Sequence, residues 1–289
     1  MSRQLPPPAL SDAPLAPGLY LVATPIGNLR DITLRALDVL AGCDLLLAED
    51  TRVTGKLLSA YSIKTKLERH DEHVAERAIP GILERLEAGE RVALVSDAGT
   101  PMVSDPGYRL AKEAIAAGHG VIPIPGASAA LAALTLAGLP TDRFLFAGFP
   151  PTKTTARKAF FEELANTRAT LIFYEGASRV ADSLADMAAV FGPRPGAVAR
   201  ELTKLYETCI RGPLDELAAD PRFEAPKGEI VILVGPGEDE VATAADAETA
   251  LREAMSRLPL GEAAAEVAKA LGLSRKDLYR QALAMKEAG

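Results

Sequence analysis

The stretch LYLVATPIGNLRDIT, residues 19–33, decides the fold. It opens on LYLVA, an apolar run of strand length. It then passes through a turn built as Thr24-Pro25-Ile26-Gly27-Asn28 and enters the helix-patterned DITLRALDVLAG. A strand, a glycine turn and a helix is where many α/β proteins hold a nucleotide. This turn nevertheless lacks the G-x-G-x-x-G spacing of a dinucleotide fold and carries a proline. Pro25 stiffens it, Gly27 permits close backbone approach, and Thr24 and Asn28 supply hydrogen-bonding groups. Asn28 has two readings, a ligand contact or a brace for its own turn.

Outward from this stretch the pattern repeats. DLLLAE, RVALVSD and GVIPIP read as strands, with KTKLERH a further candidate. TRVTGKLLSAY, HVAERAIPGILERLEAG and YRLAKEAIAAG read as the helices between them. Such alternation predicts a parallel sheet wrapped by helices, with VALV buried on both faces. Near Leu139–Arg143 the register changes. TLIFYEG, SRVADSLADMAAVFG, GAVARELTKLYETCIRG, PLDELAAD and EIVILVGPG are richer in strands and predict an α+β domain with a mixed sheet. From Glu238 the pattern is helical throughout, with two amphipathic helices split by Gly272-Leu273-Ser274 and Ser274 as an N-cap. Helix–turn–helix DNA readers share that spacing. The segment carries ten acids against seven bases, which favours a packing or dimer-contact hairpin over a DNA reader. The expected organisation is a disordered lead-in over 1–17, an α/β domain over 18–140, an α+β domain over 141–237 and a helical extension over 238–289.

The 289 residues suit about two domains, and 48% hydrophobic with 25% charged residues is ordinary for a soluble globular chain. No apolar run approaches the roughly 18 residues of a membrane span. Cys43 and Cys209, the only two cysteines, make no disulfide framework and are expected as reduced, buried thiols in the cytoplasm. Three histidines, at 70, 73 and 119, form no metal-ligand pattern, so no metal is expected. The net charge of −7 argues against an indiscriminate nucleic-acid binder. Locally, however, Thr51–Arg69 holds five basic residues (Arg52, Lys56, Lys64, Lys66, Arg69) against Glu68 alone. A solvated face or, beside a cleft, a phosphate footprint would both look like this.

Four loops follow strands of the first domain: TPIGN, EDTR, SDAGTPMVSDPG and PGAS. In open parallel sheets ligands bind beyond the carboxyl ends of the strands. The third loop is longer than the usual two to six residues of a βα turn. These motifs, in this order and spacing and with the later KGEIVILVG, resemble the tetrapyrrole methylase superfamily, and within it the ribosomal RNA small subunit methyltransferase I branch, over about residues 18–237.

The resemblance implies a two-domain tetrapyrrole-methylase-like fold that binds S-adenosylmethionine between its domains. It implies methyl transfer to the 2′-hydroxyl of a cytidine in the decoding region of 16S rRNA. The naked RNA or the small ribosomal subunit would be the partner, and the protein a homodimer. Carried over by position, the cofactor residues are Thr24, Pro25, Gly27 and Asn28; Ser96, Asp97, Ala98, Gly99, Thr100 and Ser104; Pro125, Gly126, Ser128 and Ala129; and Tyr174, Gly228, Glu229 and Ile230. Ala129 stands where the family carries a second Ser. His70 falls where the RNA branch shows a His-rich run, and Arg52, Lys56 and His70 are the expected RNA contacts.

Methyl transfer from a sulfonium needs a nucleophile aligned with a carbon the cofactor has already activated. A ribose hydroxyl is weak and needs a base, or a cation that stabilises developing alkoxide. Glu49, Asp50, Glu201 and Lys204 are the catalytic candidates. Asp50 reads equally as the N-cap of the helix that follows it, and Glu201 with Lys204 as a solvated pair. Two other functions fit the same chain: C-methylation of a tetrapyrrole, and non-catalytic ribosome binding with a vestigial cleft.

Overall fold

The computed structural model describes residues 10–11, 13–103, 107–237, 244–271 and 273–288. The chain divides into two compact units, Met1–Pro236 and Gly237–Gly289. The first unit begins β1 (Gly18–Val22), α1 (Leu34–Gly42), β2 (Leu45–Ala48), α2 (Thr51–Ala60), β3 (Leu67–Arg69), α3 (Glu72–Glu87), β4 (Arg91–Val95), α4 (Tyr108–Ala116), β5 (Val121–Ile124) and α5 (Ala129–Ala137). Its strands form one parallel sheet in the order β3-β2-β4-β1-β5. Alternate residues feed opposite faces, as strand geometry requires. Tyr20, Val22, Leu46, Ala93 and Val95 enter one core layer. Leu19, Leu45, Leu47, Val92 and Leu94 enter the other. Burial on both faces is why these strands read as unbroken apolar runs. Because every strand is parallel, all their carboxyl ends emerge at one edge.

The chain continues through β6 (Phe144–Gly148), α6 (Thr154–Leu164), β7 (Thr170–Gly176), α7 (Val180–Phe191), β8 (Pro195–Arg200), β9 (Thr208–Pro213), α8 (Leu214–Ala218) and β10 (Glu229–Val234). The second sheet runs β6-β7-β10-β8-β9; β6 and β7 are parallel and the other pairs antiparallel, the expected mixed sheet. One face packs on Phe161, Leu184, Met187 and Leu214 of its own helices. The other receives α5, whose AALAALTLA is apolar nearly all round and therefore suited to full burial. Its Ala130, Ala133, Leu134 and Ala137 pack with Ile172, Ala197, Ala199, Val231 and Leu233, and Ile26 of the opening turn joins them. Helix α5 is thus the apolar joint between the two sheets.

The described part of the lead-in is docked on the first sheet. Leu15 packs on its core, Ser11 donates its amide to Asp38 at 2.8 Å, and the Tyr20 hydroxyl donates to the Ala16 carbonyl at 2.6 Å. The second unit comprises α9 (Ala244–Met255), α10 (Leu260–Leu271) and α11 (Arg275–Ala288) around Leu251, Val267 and Leu278. The pair split at 272–274 is the one expected, and α9 completes a three-helix core.

Candidate cofactor and substrate cleft

The strand-end loops are laced to one another. Thr24 and Gly99 exchange backbone hydrogen bonds of 2.9 and 3.1 Å, which ties the loop after β1 to the loop after β4. The Thr24 hydroxyl donates to the Ser96 carbonyl at 3.1 Å, and that of Ser96 to the Gly99 carbonyl at 2.9 Å. Thr100 donates to the Ala127 carbonyl at 3.3 Å, reaching the loop after β5. An Asp97 oxygen accepts the Asp50 amide at 3.0 Å, reaching the loop after β2. Three of the expected cofactor hydroxyls therefore commit their protons to backbone carbonyls, those of Thr24 and Thr100 to another loop and that of Ser96 within its own. What the loops offer a ligand is backbone, shape and the Asp97 carboxylate. Gly99, at φ +88°, makes a bend that L side chains rarely adopt. Gly126 lets its loop lie against the end of β1, where a β-carbon would stand 2.9 Å from Ala23 Cβ.

Beyond these loops lies a cavity of about 360 Å³, bounded by Asp97–Thr100, Ser128 and Ala129 from the first sheet's loops and by Tyr174 and Gly228–Val231 from the second sheet. Its volume is that of a small-molecule site, and the predominance of apolar walls with a few polar groups is typical of one. Tyr174 accepts the Ala130 amide at 3.2 Å, so its hydroxyl holds the N-terminus of α5. Its ring meets Phe146 and Phe149 edge-on, with centroids 4.7 and 5.6 Å away. Phe149, Val103 and Glu175 also line the cavity and were not foreseen from sequence. The signal for Phe149 was available in FAGFPP, an aromatic between a glycine and two prolines. Glu175 is buried; it accepts the Gly176 amide at 2.8 Å and pairs with Arg179 at 2.5 Å.

A second pocket, of about 270 Å³, shares Ile26, Asp97, Ala98 and Glu229 with this cavity and adds Thr24, Pro25, Gly27, Ser96, Lys56 and Lys204. The Lys204 ammonium lies 2.9 Å from Glu201 and 3.1 Å from Glu229. Burial alone would lower its pKa, but the two carboxylates outweigh that and raise it; the Lys204 hydrogen bond holds Glu201 below its ordinary range. Lys204 is therefore a fixed cation. Gly27 faces it, and a β-carbon there would stand 2.6 Å from Lys204 Cγ and 2.9 Å from Thr203 Oγ1. A third pocket, about 650 Å³ and polar, is lined by Glu49, Asp50, Thr51, Arg52, Arg69, Asp71 and Asp97. Asp97 borders all three spaces.

The remaining candidates are placed as follows. Asp50 is the N-cap of α2, accepting the Arg52 amide at 2.8 Å and the Arg52 guanidinium at 2.6 Å. The Arg52 bonds hold its carboxyl well below the usual range, which makes it a poor base. Asn28 accepts the Arg30 amide at 3.1 Å, the bracing use. Pro125 and Gly126 shape their loop without lining any of these three spaces. Ser104 lies outside the described residues. His70, expected at an RNA surface, is buried at 1% exposure, and neither ring nitrogen has a hydrogen-bond partner among the described residues. It follows β3, its amide donating to the Ala48 carbonyl at 2.8 Å, so a polynucleotide cannot touch it in this conformation. The basic patch is partly neutralised, because Lys66 pairs with Glu68 at 2.7 Å and Arg69 with Asp71.

A strand-end cavity of this build narrows the possible families, and comparison with known proteins selects one. The family model for Tetrapyrrole (Corrin/Porphyrin) Methylases matches residues 18–218, more than half of the chain. The chain belongs to the tetrapyrrole methylase family. A second family model, described as the RsmI C-terminal HTH domain, matches residues 241–286, the three-helix unit. Members of the family are S-adenosylmethionine-dependent methyltransferases. Among curated relatives, a ribosomal RNA small subunit methyltransferase I from Mesorhizobium japonicum is 50% identical over 95% of this chain and 94% of its own. The protein of the same name from Erythrobacter litoralis is 52% identical over 96% and 98%. Of solved structures, the methyltransferase CobJ superposes with a TM-score of 0.57 at 21% identity, over 76% of this chain and 94% of that one. A uroporphyrin-III C-methyltransferase from Thermus thermophilus, complexed with S-adenosylhomocysteine, gives 0.52 at 20%, over 76% and 97%. At these identities the two structures establish the shared fold.

The cavity suits the family's methyl donor. Its walls include the apolar Phe149, Tyr174, Ile230 and Val231 and the polar Asp97–Thr100 and Ser128, the mixture of side chains that a ligand with a purine and an amino-acid part fits. Gly228, at φ +97°, keeps the rim open; a β-carbon there would run into the Glu201 carboxylate.

Proposed function

We propose that this protein transfers the methyl of S-adenosylmethionine to the 2′-hydroxyl of a cytidine in the decoding region of 16S rRNA. The observation that carries the proposal is the meeting of three spaces at Asp97: an apolar cavity of donor size, a pocket holding a fixed cation and a polar pocket edged by Arg52 and Arg69. Relatives at 50–52% identity along nearly the whole chain carry the name of a ribosomal RNA methyltransferase.

When bound, the cofactor supplies a methyl carbon already activated by its sulfonium. The chain's work is then alignment and charge. Asp97 accepts the ribose hydroxyl proton, since it borders the cofactor cavity and both polar spaces. Lys204 offsets negative charge developing on the ribose oxygen. Glu201 tethers that ammonium, and Asp50 tethers Arg52, instead of moving protons themselves. Glu49 contributes a further acid to the polar pocket, and Lys56 and Arg52 face the phosphates. A homodimer is part of the same reading, supported by Phe144 and Leu145, exposed on the edge strand β6.

Labelled S-adenosylmethionine is incubated separately with small ribosomal subunits, naked 16S rRNA and uroporphyrinogen. Label in RNA that survives alkaline hydrolysis as an uncleaved dinucleotide supports 2′-O-transfer. Label in the tetrapyrrole, or in a base, overturns it. Asp97→Asn keeps an oxygen for the Asp50 amide and removes the proton acceptor. It is expected to cut turnover about 10²–10⁴-fold; a wild-type rate removes Asp97 from that role.

A further inference from the structure

The turn between β8 and β9 is strained and rigidly braced. Glu201 and Thr203 sit at φ 51° and 65°, left-handed positions occupied without glycine. The cost is offset by four bonds. Glu201 N–H donates to the Glu229 carbonyl at 3.0 Å, Lys204 N–H to Glu201 at 3.0 Å, Glu207 N–H to Lys204 at 3.2 Å and Thr203 N–H to the Glu207 carboxylate at 2.6 Å. The turn aims Lys204 into the pocket and its next two residues outward. Leu205 is 87% exposed and Tyr206 69%, unusual for an adjacent apolar pair on a well-braced turn. Tyr206 is two residues from Lys204, so their Cα atoms lie at most about 7 Å apart. An exposed aromatic is therefore carried on the same short turn as the cation that enters the pocket. Lys227 precedes the cavity-lining Gly228 and Arg200 precedes Glu201, the Arg200 guanidinium donating to the Lys227 carbonyl at 3.2 Å.

We propose that Leu205 and Tyr206 form a stacking platform for a base of a single-stranded RNA segment, holding the target nucleotide's ribose toward Lys204. The inference rests on the RNA reading above and deepens it. A ribose in a duplex cannot enter a cleft between two sheets; it must be splayed out, and an exposed aromatic is what receives an unstacked base. The cations beside the turn face the polyanion, and its exposed apolar pair faces the base. An exposed aromatic at this place has no use for a ligand contained wholly within the 360 Å³ cavity.

The chain contains no tryptophan, so Tyr206→Trp installs a single fluorescent reporter. Tyr108→Trp, on the exposed face of α4, is the control, Tyr108 being as exposed at 69%. Titration with single-stranded 16S fragments is expected to quench the Tyr206→Trp emission and leave the Tyr108→Trp emission unchanged. In methyl transfer to small subunits, Tyr206→Ala is expected to raise KM roughly 10- to 100-fold, with Tyr206→Phe near wild type. Affinity for S-adenosylmethionine by calorimetry and the sedimentation of the protein should not change. A wild-type KM for Tyr206→Ala, an unquenched reporter, or a variant that alters only the oligomeric state overturns the platform. In the first two cases wild-type RNA methylation persists, so the RNA reading survives; absence of RNA methylation by the wild type overturns both.

Discussion

Gly27→Val tests whether the opening turn belongs to the active cleft. Gly27 is exposed and its backbone lies outside the left-handed region, so a side chain there carries no conformational penalty. The penalty is steric and falls on two neighbours, Lys204 and the Thr203 hydroxyl, which would lie 2.9 Å from such a β-carbon. A β-carbon at Gly27 would stand 2.6 Å from Lys204 Cγ and 2.9 Å from its Cε. Carbon–carbon contact is comfortable at 3.5–4.0 Å, so the lysine stem must retreat by about 1 Å. A flexible stem can do that without unfolding the chain, but its ammonium then leaves Glu201 and Glu229. Losing a partly buried ion pair costs about 1 kcal/mol or less, or roughly 2–4 °C in Tm for a chain of this size. Misplacing a catalytic cation by 1 Å costs on the order of 10²-fold in rate. The expected result is a protein that melts almost normally, binds S-adenosylmethionine normally by calorimetry and transfers methyl about a hundredfold more slowly. Lys204→Ala removes the colliding lysine atoms and leaves only the Thr203 hydroxyl in the way, so Gly27→Val should add much less in that background. A wild-type rate for Gly27→Val, or the same fractional loss with and without Lys204, would refute the reasoning.

Three further outcomes follow from the scaffold. Arg91 bonds hold the Asp44 carboxyl at about 2, below its unfolded value, so this pair stabilises the fold at neutral pH and the contribution is lost as pH falls from about 4 to about 2; Asp44→Asn should lower Tm at pH 7 by a few degrees at most and flatten that acid limb. Burial pushes the Cys43 thiol up to about 12, so iodoacetamide at pH 8 should label it only under denaturing conditions, and rapid native labelling would contradict the packing. Arg157, 3% exposed, bonds Asp186 at 2.7 Å, and Arg157→Met should cost less in urea unfolding than the roughly 3–5 kcal/mol of a wholly stranded buried charge, because Lys158 remains 3.5 Å from the Asp186 carboxylate.

The first sheet and its loops were legible because glycine and proline mark where a backbone turns and unbroken apolar runs mark strands buried on both sides. TPIGN, EDTR and SDAGTP were located at the strand ends, where ligands gather in parallel sheets. Other features left no such mark. His70 sits among Arg69, Asp71 and Glu72, and so polar a neighbourhood reads as surface, whereas the fold buries the ring behind the end of β2. The lead-in carries three consecutive prolines, a disorder signal, yet Leu15 and Tyr20 anchor its end through packing and a tertiary hydrogen bond. The hydroxyls of Thr24, Ser96 and Thr100 could be assigned to the site but not to a partner. Whether a hydroxyl faces a ligand or a neighbouring carbonyl depends on loops up to 72 residues away.

The β8–β9 turn shows where that boundary lies and why. ELTKLYE contains neither glycine, asparagine nor proline, so nothing local announces that Glu201 and Thr203 take left-handed angles. The conformation is imposed from elsewhere: Gly228 makes room for the Glu201 carboxylate, the Glu229 carbonyl accepts the Glu201 amide, and Gly27 makes room for the Lys204 stem. Two glycines far apart in sequence thus serve a turn that has none. They remove the atoms that would displace Glu201 and Lys204, and the Glu201 and Glu229 carboxylates then hold the ammonium at the cleft. The first sheet's loops build a cavity from local turn chemistry, whereas the second sheet supplies the adjoining pocket with a cation whose position exists only in the folded chain. Substitution at Gly27 should therefore damage charge placement at Lys204 before it damages the cofactor cavity, and activity should fail before stability does.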